Sequence, residues 1–294
     1  DNFSPYYDVR LKQARLARLS ENPGFRFHHL DITDKEATGA LFASAPEIDR
    51  IVHLAAQPGV RHSLADPYAY VNTNVLGQLV VLEAARQLPR LHHLLYASSS
   101  SVYGESKILP FSEDDRADAP NSLYAATKRA GELISHVYTH LFALPQTGLR
   151  FFTVYGPWGR PDMAYYSFAL AISKGEPITL YDDGALKRDF TYIDDIVAGV
   201  LACLDRPPAA GEPAHLLNIG NHRAEQVRRL VALLEQGLGR KAIIRSVPRP
   251  ALDVPETFAA IDQLQKLTGF APHTPLAEGI ARFLAWFKSW HNID

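Results

Sequence analysis

The chain has 294 residues, 47% of them hydrophobic and 21% charged, with a formal net charge of −2. Such a composition suits a folded globular protein with a core large enough to need no crosslinks, and its near-neutral balance argues against nucleic acid as a partner. The lone cysteine, Cys203, allows no internal disulfide, no apolar run reaches the roughly 18 residues of a membrane span, and no leader pattern is read at the start, so a cytoplasmic setting is expected.

In chain order, the basic stretch Arg10–Arg18 has the spacing of a solvated amphipathic helix. Phe25–Ile32 reads as a strand and Asp34–Ala45 as a helix. Arg50–Ala56 is a short apolar run bounded by polar residues, the pattern of a buried strand. Pro67 opens a long helical pattern carrying Val75, Leu79, Leu82 and Ala85, and Leu91–Ala97 is the next strand. Ser122–Leu144 is helical and Thr147–Phe152 returns to a strand. Strands spaced by helices imply right-handed crossovers and a parallel, doubly wound α/β sheet.

Beyond Thr153, Pro157, Gly159 and Pro161 make an irregular loop. A helix follows over Tyr165–Lys174, then short strand-like pieces at Pro177–Tyr181 and Arg188–Ile193. Further helices are predicted over Asp194–Leu204, Glu225–Leu238 and Leu276–Trp290. Residues 1–153 are therefore assigned to the sheet domain. Residues 154–294 are assigned mainly to a smaller α/β lobe, with some segments returning to the first domain.

A doubly wound dinucleotide fold opens with a strand, a glycine-rich turn and a helix whose N-terminus receives the pyrophosphate. No G-x-G-x-x-G pattern stands near Asp1. Roughly 30 residues are expected to precede Asp1, the usual size of that unit, and these 294 residues alone are expected to hold a dinucleotide weakly. The histidine pairs His28-His29 and His92-His93 lie on predicted strands and point to opposite faces, so no metal site is expected. Trp286, Phe287 and Trp290 read as packing on the last helix.

The pattern richest in chemistry is Tyr124-Ala125-Ala126-Thr127-Lys128. Positions i and i+4 share a helix face, so the ammonium can sit near the phenol and favour its phenolate. That would turn a tyrosine into a usable base near neutrality. Upstream, directly after a predicted strand, runs Ala97-Ser98-Ser99-Ser100-Ser101-Val102-Tyr103-Gly104. Ligand crevices form outside the carboxyl ends of parallel strands, which is where these hydroxyls fall.

These residues resemble the extended short-chain dehydrogenase/reductase family, and within it the NAD-dependent nucleotide-sugar epimerases that act on UDP-glucuronate. The likeness runs through Asp1-Asn2-Phe3 with Tyr6-Tyr7-Asp8, Tyr96 to Gly104, Leu149 to Gly156, and Pro157-Trp158-Gly159-Arg160-Pro161-Asp162-Met163. The resemblance implies a Rossmann-like fold, tightly held NAD, a UDP-sugar substrate and a homodimer. It implies Ser99, Tyr124 and Lys128 as the catalytic set. Around the cofactor it implies Asp1 and Asn2, Asp31 and Ile32 at the adenine side, Leu54, Ala55 and Ala56 as a wall, then Asn74, with Phe152 at the nicotinamide. At the substrate it implies Ser100, Ser101 and Thr153 facing the sugar carboxylate, Arg160 in the sugar-nucleotide site, Arg188 at the diphosphate and Asp253 at the nucleotide end. Pro250 stands where the family carries a polar residue, and Arg249 is a candidate substitute. The rival readings are an epimerase of UDP-glucose or UDP-N-acetylglucosamine, and a cofactor-free binding protein. A dehydratase is disfavoured because Ser100-Ser101 stand where its relatives carry Asp-Glu, and a decarboxylase because its relatives place a glutamate there.

Overall fold

The first helices are set by their caps. In the computed structural model, which describes residues 1–209, 211–212, 214–250 and 253–293, the Asp8 carboxylate accepts from Arg10 N at the head of α1 (Val9–Ser20). Asp34 accepts from Glu36 N and Ala37 N at the head of α2 (Lys35–Ala43). Each cap satisfies an amide with no partner inside its helix. The predicted strand over residues 25–32 does not form: the segment is irregular and Ile32 already lies in a turn. The segment's backbone bonds to the start of the chain are Leu30 N to Asp1 O at 3.3 Å and the Asp1 amino group to His28 O at 3.5 Å, and a strand exists only through a ladder to its neighbour.

β1 (Arg50–His53) is shorter than expected, and the chain then runs irregularly into a helical stretch made of three parts. These are α3 (Pro67–Tyr70), a π-helical turn over Val71–Leu76, and α4 (Gly77–Ala85). Next come β2 (His93–Ser99), a 3-10 turn over Ser100–Tyr103, α5 (Leu123–Phe142), β3 (Gln146–Phe151) and β4 (Thr153–Tyr155). The second half contributes α6 (Ala164–Lys174), β5 (Pro177–Tyr181), β6 (Lys187–Tyr192), α7 (Ile193–Leu204), β7 (His215–Ile219), β8 (Ala224–Gln226), α8 (Val227–Leu238), β9 (Ile243–Val247), α9 (Asp262–Thr268) and α10 (Leu276–His291).

The main sheet has the order β1-β2-β3-β7 and every pair in it is parallel. Alternation along β2 divides the core. Leu94 and Tyr96 face α4 and α5 with Val81, Leu82 and Tyr138, while Leu95 faces the other side with Leu149, Ile196, Val200, Cys203 and Leu264. α7, β7 and α9 therefore return to the first domain after the chain has entered the lobe. The lobe has a core of its own, built on Tyr155, Tyr165, Tyr166, Ile178, Leu230, Leu234, Phe283 and Phe287. Two small sheets flank it, β4-β6-β8 and β5-β9. Trp286 and Trp290 pack on Trp158 at 5.3 and 5.5 Å between ring centres, which agrees with the packing expected of the last helix.

Candidate active site

Parallel strands end together, and the segments after β1, β2 and β3 converge at their carboxyl ends. Ser99 closes β2 opposite Phe151, which closes β3. Thr153 stands two residues further on, at the start of β4. Ser99 donates to Ser101 Oγ at 3.1 Å and accepts from Ser101 N at 3.2 Å, so the serine run folds into a hydroxyl-bearing turn. Ser100 and Ser101 remain partly exposed there.

α5 begins behind this turn, capped by Ser122, whose Oγ accepts from Ala125 N. Its first turns carry Tyr124 and Lys128. Burial raises the Tyr124 phenol above its usual pKa; a hydrogen bond with Ser99 and the positive charge of Arg160 pull the other way. This differs from the sequence-based expectation, in which Lys128 draws the phenol down. The Lys128 ammonium is turned instead to Ala97 O at 2.9 Å. Burial depresses it to about 8, against the pull of Glu132. Ala97 O is its one hydrogen-bond partner among the described residues, which leaves donors of a buried cation for a ligand's hydroxyls.

That spare capacity is one test of whether NAD fits. Another is the loop after β1, where Leu54 is 55% exposed beside exposed Ala55 and half-buried Ala56. A bare apolar ledge at a strand's carboxyl end suits a flat ring. At the far side, Asp31 accepts from Asn2 Nδ2 at 2.7 Å and from Thr33 N and Oγ1 at 2.9 and 2.7 Å. Asp1 receives Phe3 N at 2.6 Å and Lys12 Nζ at 3.3 Å. Asp1, Asn2 and Asp31 thus form one polar cluster suited to hydroxyl and amine groups. Three of the other cofactor candidates are engaged by the protein. Ile32 packs on Gly77 of α4. Asn74 is buried, bonding Gln57 N at 2.7 Å, Gln57 O at 3.0 Å and Thr127 Oγ1 at 3.1 Å. The π-helical turn places Asn74 to brace the ledge against α5, in keeping with the habit of such turns to occur at functional sites. Phe152 is 6% exposed in the core beside Phe111.

Arg160 reaches the same crevice from the loop after β4. It pairs with Asp162 at 3.1 Å and donates to Met163 Sδ at 3.3 Å. Its charge is nevertheless felt at Tyr124, Tyr70 and Tyr6. Arg188 is largely desolvated, which lowers its pKa, and donates to Lys187 O at 2.8 Å and Pro255 O at 3.4 Å. Asp253 pairs with Arg61 at 2.6 Å, and its carbonyl accepts from Arg249 at 2.8 Å. Among the described residues no three His, Cys, Asp or Glu side chains converge on a metal position, and no helix is long and apolar enough to cross a membrane.

Three residues at the site escaped the sequence reading. Tyr70 donates to Pro58 O and Gly59 O at 2.5 and 2.7 Å and stands edge-on to Tyr124, 6.2 Å between ring centres. Tyr6 donates to Asp162 at 3.1 Å and packs so closely on Gly59, at φ +100, that any side chain there would collide with it. Arg61 lies in the same loop. The signal for all three was Gln57-Pro58-Gly59-Val60-Arg61, a glycine-bearing loop directly after a buried strand.

Arg160→Ala removes a charge that lowers the Tyr124 pKa, so that pKa should rise. A reaction needing the deprotonated phenol then loses rate at neutral pH, and the acid limb of its pH–rate profile moves to higher pH. An acid limb that stays in place would show that Arg160 does not act on Tyr124.

Comparison with known proteins agrees with this geometry. Residues 7–220 match the NAD dependent epimerase/dehydratase family. The probable UDP-glucuronate 4-epimerase of Rhizobium meliloti is 43% identical over 98% of this chain and 88% of its own length. UDP-glucuronate 4-epimerase 4 of Arabidopsis thaliana is 45% identical over 100% of this chain and 70% of its own. The crystal structure of the UDP-glucuronic acid 4-epimerase of Bacillus cereus, in complex with UDP-glucuronic acid and NAD, superposes with a TM-score of 0.90 at 33% identity, covering 99% of this chain and 90% of that one. With a tyrosine, a lysine and a serine gathered at the ends of a parallel sheet and a match over most of its length, this chain belongs to the NAD dependent epimerase/dehydratase family.

Proposed function

We infer that this protein is an NAD-dependent isomerase that inverts C4 of a UDP-sugar acid, interconverting UDP-glucuronate and UDP-galacturonate. The observation that carries the reading is the Ser99, Tyr124 and Lys128 set at the sheet's carboxyl end, in a chain whose relatives are UDP-glucuronate 4-epimerases. When bound, NAD supplies the hydride acceptor and donor at C4. Tyr124 Oη takes the proton of the sugar's 4-hydroxyl and later returns it. Ser99 bonds the same substrate oxygen, and Lys128 directs its free N–H groups to the nicotinamide ribose. Leu54, Ala55 and Ala56 form the cofactor ledge, with Asp1, Asn2, Asp31 and Ile32 at the adenine end. Asn74 holds the ledge in place and Phe152 backs the nicotinamide. Residues 1–153 act as the dinucleotide-binding domain, and 154–294 mainly as the substrate lobe, with α7, β7 and α9 completing the first. Arg188 meets the diphosphate and Asp253 the nucleoside end. A cytoplasmic setting is proposed on the buried free thiol of Cys203.

Ser100, Ser101 and Thr153 are assigned to the sugar carboxylate, with Arg160 in the sugar-nucleotide site. The oxidised sugar is a β-keto acid, which loses CO₂ when the breaking bond stands perpendicular to the ketone plane. Hydroxyls that hold the carboxylate out of that alignment keep it attached, since hydrogen bonds to a charged acceptor contribute about 1.5–3 kcal/mol each. Incubation with UDP-glucuronate, followed by NMR, should show UDP-galacturonate as the product. Ser101→Ala and Thr153→Val should slow its formation and release a UDP-pentose. A protein that turns over UDP-glucose in preference to the acid would overturn the substrate assignment, and variants that lose activity without pentose would overturn the clamp.

A homodimer is proposed through α4 and α5, which pack side by side. α5 leaves Leu133, Val137 and Leu141 exposed at i, i+4 and i+8, and the adjoining helical run leaves Val71 exposed. An apolar stripe of this kind marks a binding face, and a second copy related by a two-fold axis offers the same stripe. Val137→Glu should halve the mass seen by sedimentation; a wild-type protein that already sediments as a monomer at micromolar concentration would refute the proposal.

A further inference from the structure

Arg188 carries a half-buried guanidinium whose hydrogen bonds go to carbonyl groups alone, and among the described residues no carboxylate lies within ion-pair distance of it. Burial lowers its pKa, the Asp253 carboxylate raises it, and two other arginines lower it, Arg249 from the segment after β9 and Arg61 from the loop after β1. Arg249 lies 3.6 Å from Asp182, and Arg61 pairs with Asp253 at 2.6 Å. Three guanidinium groups thus share two carboxylates, and Arg188, which feels Asp253 only from beyond ion-pair distance, has no carboxylate of its own. Such an arrangement costs energy unless an anion completes it.

Arg61 is built to move. It is an exposed side chain whose guanidinium lies 4.6 Å over the Tyr181 ring and donates to Tyr181 Oη at 3.1 Å. The aromatic face supports the cation along one side and leaves its in-plane N–H groups free to change acceptor. We propose that Arg61 is a third arginine of the diphosphate site, resting on Asp253 until a nucleoside diphosphate arrives and then exchanging that carboxylate for a phosphate oxygen. This rests on the reading of Arg188 as a diphosphate contact and adds to it a residue from the other domain. The exchange replaces one ion pair by another, so the guanidinium is never left bare. It also gives one loop two tasks, because the chain that delivers Arg61 to the diphosphate begins as the Leu54–Ala56 ledge. Diphosphate binding therefore pulls on the segment that carries the cofactor wall.

Calorimetric titration of the full chain with uridine and with UDP separates the arms. The quantity read is the ratio of the two affinities, in which contacts to the nucleoside cancel. Wild type should prefer UDP, and Arg61→Met should lower that preference at least about tenfold, the size expected for a lost charge-assisted bond. Asp253→Asn should raise the preference, because the competing carboxylate is gone. Arg61→Lys should retain part of it as a point charge. If Arg188→Met abolishes the preference while Arg61→Met leaves it unchanged, or weakens uridine and UDP by the same factor, Arg61 is a structural residue and the inference fails alone. If wild type does not distinguish UDP from uridine, the diphosphate reading of Arg188 fails as well.

Discussion

Tyr124→Phe is expected to lower turnover by about 10²–10⁴-fold, the range contributed by a positioned acid–base group, while UDP-sugar affinity stays within about twofold. The substitution removes one oxygen. The ring remains edge-on to Tyr70 and the helix cap at Ser122 is untouched, so the crevice keeps its shape. What disappears is the acceptor for the 4-hydroxyl proton and the partner of Ser99. Initial-rate kinetics paired with titration of UDP-glucuronate test this directly. An equal loss in binding would mean that the phenol holds the sugar rather than moves its proton, and an active variant would require another base.

Glu132→Ala is expected to destabilise the fold by about 3–5 kcal/mol, the cost of leaving a buried charge without its partner. Glu132 lies one turn beyond Lys128 on α5. It accepts from Arg150 Nε and Nη2 at 2.8 and 2.9 Å, from Ser98 Oγ at 2.5 Å and from Arg129 at 2.8 Å. Arg150 is 1% exposed and can find no water once the carboxylate is gone. Its remaining support is the Tyr103 ring, 4.7 Å away. The network joins α5 to β2 and β3, so its loss would also loosen the Tyr124 and Lys128 platform. Urea denaturation gives the number, and a loss under about 1 kcal/mol would show that the cavity admits solvent. Glu132→Leu combined with Arg150→Leu should recover part of the stability, because the pair's desolvation cost disappears with it.

The parts of the fold legible in the sequence are those carried by local pattern. β1, β2 and β3 are short apolar runs, and α5 and α10 repeat apolar residues at helical spacing. β7 is different. His215-Leu216-Leu217-Asn218-Ile219 is short and interrupted by polar residues, and it becomes a strand by pairing with β3. Buried Asn218 is consumed by Tyr103, Phe111 O and Ala260 O, partners far from it in the chain. Residues 25–32 show the converse, since β pattern without a ladder does not make a strand. The convergence of the three residues proposed as catalytic was legible because Tyr124 and Lys128 are fixed by one helix and Ser99 by the end of a strand. Arg61 and Tyr6 were not, because they act through contacts 192 and 156 residues away in sequence. The upward push of burial on the Tyr124 phenol was not legible, because desolvation depends on everything packed around it, which an i,i+4 spacing does not report.

The return of β7 to the first sheet constrains how the protein can be made. On the ribosome, β3 emerges with one edge bare and must wait about 64 residues for the strand that covers it. Meanwhile the face of β2 and β3 bearing Leu95 and Leu149 lacks Ile196, Val200 and Cys203 of α7. The lobe is therefore an insertion that the nascent first domain must accommodate before it can close, and an unpaired parallel edge beside an uncovered apolar face is where neighbouring chains stick. Synthesis that stalls in the lobe would leave a chaperone client, whereas synthesis that clears residue 219 has supplied first the covering helix α7 and then the missing edge β7.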